Sequence, residues 1–121
     1  MFSTMLKAKL HGARVTASNL DYEGSLTIDP ELMEYVKILP YEKILVSNLE
    51  NGNRFETYAI CGERGKGEIC LNGATAHLGK VGDRVIIFTF GLVPTEQAAQ
   101  VRPLVVRLDA KNKIEGGLKT V

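Results

Sequence analysis

Within the stretch Tyr22-Glu23-Gly24-Ser25-Leu26-Thr27-Ile28-Asp29, the Gly24–Ser25 bond is where this chain could do chemistry on itself. A serine hydroxyl can attack the carbonyl that precedes it, turning the amide into an ester. β-Elimination then releases the upstream chain, and hydrolysis of the resulting dehydroalanine leaves a pyruvoyl group. Glycine suits the position before the serine, because without a Cβ the strained backbone that the attack needs is accessible. A bare Gly-Ser pair also fits an ordinary turn between strands, so the rest of the chain has to decide.

The elements that would position this bond are mostly strands. Residues 4–18 alternate, with Leu6, Ala8 and Leu10 on one face and Lys7, Lys9 and His11 on the other. Asp21 to Ser25 reads as a turn, and Leu26-Thr27-Ile28 begins another extended piece. Asp29-Pro30-Glu31 is a helix start, with Asp capping and Pro at the first helical position. That helix should reach about Ile38 and stop before Pro40. Asn51-Gly52 is the strongest hairpin signal, joining Ile44–Leu49 to Arg54–Ile60. Gly62 to Gly67 lacks the Walker spacing and reads as a hairpin loop before a short strand over Glu68–Leu71. Ala74 to Leu78 makes a brief helical turn, and Asp83–Leu92 is apolar enough for a strand buried on both faces. Pro94 to Ala99 is a turn or short helix, and Pro103–Asp109 is a further strand. Short strands with regular turns in one domain spanning 1–121 suggest a closed or nearly closed β-barrel with one or two short helices.

Composition removes several function classes. The chain has 121 residues, with 15 basic and 14 acidic side chains and a net charge of +1. That balance gives no basic footprint for nucleic acid. Apolar runs such as Val85-Ile86-Ile87-Phe88 are too short to span a bilayer, and no apolar signal core precedes Lys7 and Lys9. No membrane partner is expected, and the location expected is cytoplasmic. Cys61 and Cys70 lack a CxxC partner, and His11 and His77 lie at no metal-ligand spacing from them. Two small buried thiols and no metal are expected.

With these residues in view, the chain resembles the pyruvoyl-dependent aspartate 1-decarboxylases of bacteria. The resemblance runs in one register through Met5-Leu6, Lys9-Leu10-His11, Tyr22-Glu23-Gly24-Ser25, Asn51-Gly52, Arg54-Phe55, Thr57-Tyr58-Ala59-Ile60, Asn72-Gly73-Ala74, Ala76-His77 and Val81-Gly82-Asp83. It implies a six-stranded double-psi β-barrel, assembled as a homotetramer with active sites between subunits. It implies decarboxylation of L-aspartate to β-alanine, towards pantothenate and coenzyme A. Cleavage would give chains 1–24 and 25–121, with Ser25 converted to the covalent pyruvoyl group. For part of the family an accessory maturation factor accelerates that step, a further partner this chain admits.

Losing carbon dioxide from an amino acid leaves a carbanion, so an electron sink is needed. A Schiff base between the pyruvoyl ketone and the substrate amine supplies it in place of pyridoxal phosphate. Aspartate carries two carboxylates, which Arg54 could grip through paired hydrogen bonds and Lys9 could assist. His11, two residues from Lys9, could orient the substrate or a water. Tyr58 is the candidate proton donor, since a phenol holds its proton at neutral pH. The family likeness gives Thr57 a bond to the Gly24 carbonyl during self-cleavage and a place at the substrate. Arg54 and Tyr58 share one face of a regular strand while Thr57 takes the other, so a bulge or two differently oriented sites would be required. Asn72, Gly73, Ala74 and Thr75 sit where a turn meets a helix start and could bind the substrate. Tyr22 is adjacent only in sequence.

Three positions depart from the family pattern. Leu26-Thr27 stands where Cys-Ala is frequent, Thr75 replaces a frequent alanine, and the tail from Lys111 aligns poorly and should be frayed or family-variable. The alternative from another class is a non-enzymatic β-barrel binding module that keeps its chain intact. A pyruvoyl enzyme for another amino acid is a second alternative, against which Arg54 and Lys9 favour an acidic side chain.

Overall fold

The computed structural model describes residues 1–119. In chain order it contains β1 (Phe2–Arg14), β2 (Ala17–Asn19), β3 (Ser25–Ile28), the helix α1 (Pro30–Val36), β4 (Lys43–Asn48), β5 (Arg54–Cys61), β6 (Ile69–Asn72), β7 (Arg84–Pro94), β8 (Leu104–Leu108) and β9 (Ile114–Lys119). Two 3-10 segments, Gly73–Leu78 and Thr95–Gln100, complete it. The chain is mainly β, as its alternation and turn residues require. The strands form one ladder in the order β2-β6-β3-β5-β4-β7-β1-β8-β9. The pairs β1/β8, β2/β6 and β3/β5 are parallel, which only crossovers can supply. Leu10 of β1 and Leu26 of β3, four strands apart in the ladder, are fully buried in one hydrophobic cluster with Val46 and Ile87. The sheet therefore coils around a single core.

Several local expectations hold and others need correction. Asp29 caps α1 by accepting from Glu31 N at 2.9 Å, with Pro30 at the first turn. The helix ends at Val36 rather than Ile38, because Lys37 turns left-handed at φ 60. The Asn51-Gly52 hairpin forms with Ser47 opposite Arg54. The Gly62–Gly67 segment is not a hairpin loop, since β3 lies between β5 and β6 and the segment crosses over it. It does form a cradle of N–H groups, but the cradle holds the chain's own Asp29. Strand β7 is not buried on both faces: Val85, Ile87 and Thr89 point inward, while Phe90 and Leu92 are exposed. As far as Lys119 the tail is not frayed, because β9 pairs with β8 and the buried Asn112 locks its start in place, which leaves family variation as the reading of its poor alignment. Asn112 accepts from Arg14 N at 2.7 Å and donates to Arg14 O at 2.9 Å and Gly67 O at 2.7 Å, imitating a paired strand residue.

Asp29 fixes the end of β3. Its buried carboxylate accepts from Glu31 N, from Gly65 N at 3.1 Å and from Gly67 N at 2.8 Å. Burial alone would push this carboxyl up, but the Gly67, Glu31 and Gly65 N–H donors together hold it below its usual value. A depressed carboxyl contributes stability above its unfolded pKa and loses that stability as pH falls through the folded value. Asp29→Asn should therefore cost about 2 kcal/mol at pH 7. In urea titrations the gap between wild type and variant should shrink below about pH 4.

Candidate active site

Ser25 opens β3, and the boundary between solvent and core runs through the Gly24–Ser25 bond. Gly24 is exposed, whereas Ser25 to Ile28 are all buried. β3 is short but gripped on both edges, by β5 through Leu26–Ile28 and by β6 through Ser25–Ile28. Asn72, the last residue of β6, lies opposite Ser25. Its Nδ2 donates to Ser25 Oγ at 3.0 Å and to Thr27 Oγ1 at 2.8 Å. Its Oδ1 accepts from the Cys70 thiol at 3.2 Å. Burial, with help from the Glu68 charge, pushes that thiol's pKa up, so it keeps the proton it donates. Thr75 Oγ1 donates to Asn72 O at 2.7 Å and lies 3.5 Å from Ser25 O. The two threonines at positions that depart from the family pattern, Thr27 and Thr75, thus both belong to this network.

The glycine that the uncleaved site demands is Gly73, not Gly24. Gly24 is outside the left-handed region, and a Cβ there would meet nothing within 4 Å. Gly73 has φ +63, and a Cβ on it would lie 2.7 Å from Gly24 Cα and 2.9 Å from Tyr22 O. The turn after β6 is therefore pressed directly against the segment that precedes Ser25.

A cleft of about 460 Å³ opens beside Ser25, lined also by Tyr22, Glu23, Pro40, Tyr41, Tyr58 and the end of β5. The volume suits a small ligand. Tyr22 and Tyr58 thus both line the cleft that holds Ser25. Cys61 also lines the cleft and is exposed, which corrects its expected burial: it is the last residue of β5, where the strand leaves the sheet. Pro40, Tyr41 and Glu23 carried no signal in sequence order, and only the folded chain brings them here.

Lys9 and Arg54 meet elsewhere. Lys9 lies opposite Phe88 on the neighbouring β7, and its Nζ is 5.5 Å from the Phe88 ring centroid. Arg54 Cζ lies 5.5 Å from the same centroid, and its guanidinium donates to Ser47 Oγ at 2.7 Å. Two cations thus converge on one aromatic ring. Neither lines the Ser25 cleft, which contains no Lys or Arg. The pairing of β4 with β5 is unbroken from Arg54 to Tyr58, which excludes a bulge there. Arg54 and Tyr58 are accordingly on one face about 13 Å apart. Thr57 faces the other way, opposite Ile44, and among the described residues makes no side-chain hydrogen bond to Gly24. His11 lines a separate cleft with Arg14, Arg84 and Arg107. Its burial, then the charges of Lys9, Arg107 and Arg84, lower its pKa and keep the imidazole neutral at pH 7. Ala74 is exposed beside the buried Gly73 and Thr75. Among the described residues no three His, Cys, Asp or Glu side chains gather as a metal site, and no helix is long and apolar enough to cross a membrane.

Gly73→Ala should destabilise the protein by about 2 kcal/mol or more, because it combines a left-handed φ with a backbone collision. The check is chemical denaturation of the variant beside wild type; stability within 0.5 kcal/mol, roughly the scatter of surface substitutions, would contradict the close packing described.

Comparison with known proteins covers nearly all of these elements. A family model described as aspartate decarboxylase matches residues 1–115. The chain is 57% identical over 114 residues to the aspartate 1-decarboxylase of Pelotomaculum thermopropionicum, spanning 94% of this chain and 86% of that one. It is 54% identical to the aspartate 1-decarboxylase of Acetivibrio thermocellus, over 94% of this chain and 90% of that one. It is 49% identical to the same enzyme of a Geobacillus species, over 95% of this chain and 91% of the relative. On a match that takes in β1 to β8 and the start of β9, together with the whole Ser25 cleft, the chain belongs to the aspartate decarboxylase family.

Proposed function

We propose that this protein decarboxylates L-aspartate to β-alanine and carbon dioxide, with a pyruvoyl group made from its own Ser25. The observation that carries this reading is the placement of the buried Ser25 in the wall of the cleft. Its Oγ is held by Asn72, and the residue before it is free of the sheet. In self-cleavage, Ser25 Oγ would attack the Gly24 carbonyl carbon and its proton would pass to the Ser25 nitrogen. Elimination across Cα–Cβ would release residues 1–24 as a carboxylate, and water would replace the nitrogen, which leaves as ammonia. The fold tolerates that cut. Residues 1–24 would remain bound through β1 to β7 and β8 and through β2 to β6, while β3 keeps both its neighbours.

Gly24, Ser25 and Thr57 form the proposed self-processing set, with Thr57 having to turn towards Gly24 for that step, and Asn72 and Thr75, which touch Ser25 directly, join it. The pyruvoyl group, held where Asn72 and Thr75 now touch Ser25, would supply an electrophilic carbonyl and an electron sink for decarboxylation. Tyr58 Oη, on the wall of the same cleft, returns a proton to the substrate carbon. Asn72, Gly73, Ala74 and Thr75, of which Asn72 and Thr75 reach Ser25 from behind the cleft, are the proposed substrate-orienting turn. Lys9 and Arg54 bind its carboxylates, with neutral His11 beside Lys9 on β1.

The cleft has no cation of its own, and Arg54 is about 13 Å from Tyr58 on the same strand. We therefore propose that a second copy brings its Lys9 and Arg54 to the Ser25 cleft, within a homotetramer. The exposed Phe90 and Leu92 on the outer face of β7 suit such an assembly. A binding module with an intact chain would leave the turn at Gly73 pressed against Gly24, the Asn72 network and the phenol of the Ser25 cleft without a purpose.

Intact-mass measurement under denaturing conditions should find two chains, 1–24 and 25–121, the second beginning with a pyruvoyl group. Ser25→Ala should fold, remain one chain and form no β-alanine; full-rate turnover by that variant would sink the pyruvoyl assignment. Tyr58→Phe should cleave normally yet lose roughly a hundredfold or more in kcat. An unchanged rate would remove Tyr58 from proton transfer.

A further inference from the structure

Tyr41 adopts a backbone conformation that its side chain disfavours. It has φ 70, in the left-handed region where aromatic residues are rare. The turn Leu39–Glu42 explains the geometry: Glu42 N donates to Leu39 O at 3.1 Å, Pro40 occupies the second position, and Tyr41 the third. That pattern asks for Gly or Asn at the third position.

The turn is pinned without help from the tyrosine ring. Tyr41 N donates to Ala59 O at 2.7 Å, and Ala59 N donates to Glu42 O at 3.0 Å. The Glu42 carboxylate accepts from Leu39 N at 2.9 Å and from Lys7 Nζ at 2.8 Å. Tyr41 is 77% exposed in the single chain, so burial within the subunit does not offset the conformational cost. What Tyr41 does do is line the Ser25 cleft together with Tyr22 and Tyr58, whose neighbour Ala59 anchors the turn. Strain that packing does not explain, at the wall of a reactive cleft, is the pattern of a functional residue.

We infer that Tyr41 is a positioning residue of the decarboxylase site, an aromatic wall that confines the bound amino acid beside Ser25. This rests on the decarboxylase reading above. Because the wall touches the substrate equally before and after carbon dioxide leaves, its loss should raise KM more than it lowers kcat.

The test compares wild type, Tyr41→Asn and Tyr41→Phe as assembled enzyme, after intact mass confirms equal self-cleavage. Tyr41→Asn should melt higher than wild type by roughly 3 °C or more, since Asn accepts a positive φ. The same variant should raise KM for L-aspartate about fivefold to tenfold with kcat within about twofold, the worth of one aromatic contact. Tyr41→Phe, which keeps the ring and the strain, should match wild type in both Tm and KM. An unchanged KM in Tyr41→Asn, or a lower Tm, overturns the inference while leaving the decarboxylase reading intact. So does a KM rise accompanied by a changed native mass, which would make the ring a subunit contact. A wild type that cleaves no aspartate refutes both readings together.

Discussion

Asn72 directs both protons of its side-chain amide at strand β3, to Ser25 Oγ at 3.0 Å and to Thr27 Oγ1 at 2.8 Å. The amide can do so only because Cys70 occupies its oxygen and Thr75 holds its backbone carbonyl. Each partner is buried, so a broken bond here leaves a polar group without water to replace it. The consequence is a serine hydroxyl with a fixed position in a protein whose adjacent residue, Gly24, is exposed. Positional order on one side of a peptide bond and freedom on the other is what selective cleavage of that bond needs.

The rest of the fold keeps β3 from moving. Its C-terminal end runs into Asp29, whose carboxylate gathers three backbone N–H groups from α1 and from the loop that crosses over β3. That loop is in turn tied to the C-terminal region by Asn112 through Gly67 O. Parallel β5 and antiparallel β6 complete the clamp. Residues far apart in the chain thus converge on four residues of strand, and the contacts are of the buried polar kind that specify a geometry more than they add stability.

Charge is arranged on a different principle. The Ser25 cleft is lined by phenols and one acidic residue, Glu23, whereas the cations Lys9 and Arg54 are held over Phe88 on the outer surface. A single subunit keeps like charges close together and away from the serine. On the reading proposed above, separating the Ser25 cleft from these two cations would make activity depend on assembly.

Much of this was legible in the sequence because the signals are local. Asp29-Pro30 marked a helix cap, Asn51-Gly52 marked a hairpin, and Gly24-Ser25 with Arg54, Tyr58 and Asn72-Gly73 marked a family and its chemistry. These depend on the dihedral preferences and donor sets of a few consecutive residues, or on motif spacing. Tertiary structure alone decided that β3 separates β5 from β6, and that the Gly62–Gly67 loop holds Asp29 rather than a ligand. It alone decided that the tail is locked by Asn112 and that Tyr41 reaches the cleft. Each of those is a pairing between residues distant in sequence, and no dihedral preference encodes which distant partner a strand or a carboxylate will find. The alternation of a strand fixes which side chains share a face; only the coiled sheet settles what that face looks upon.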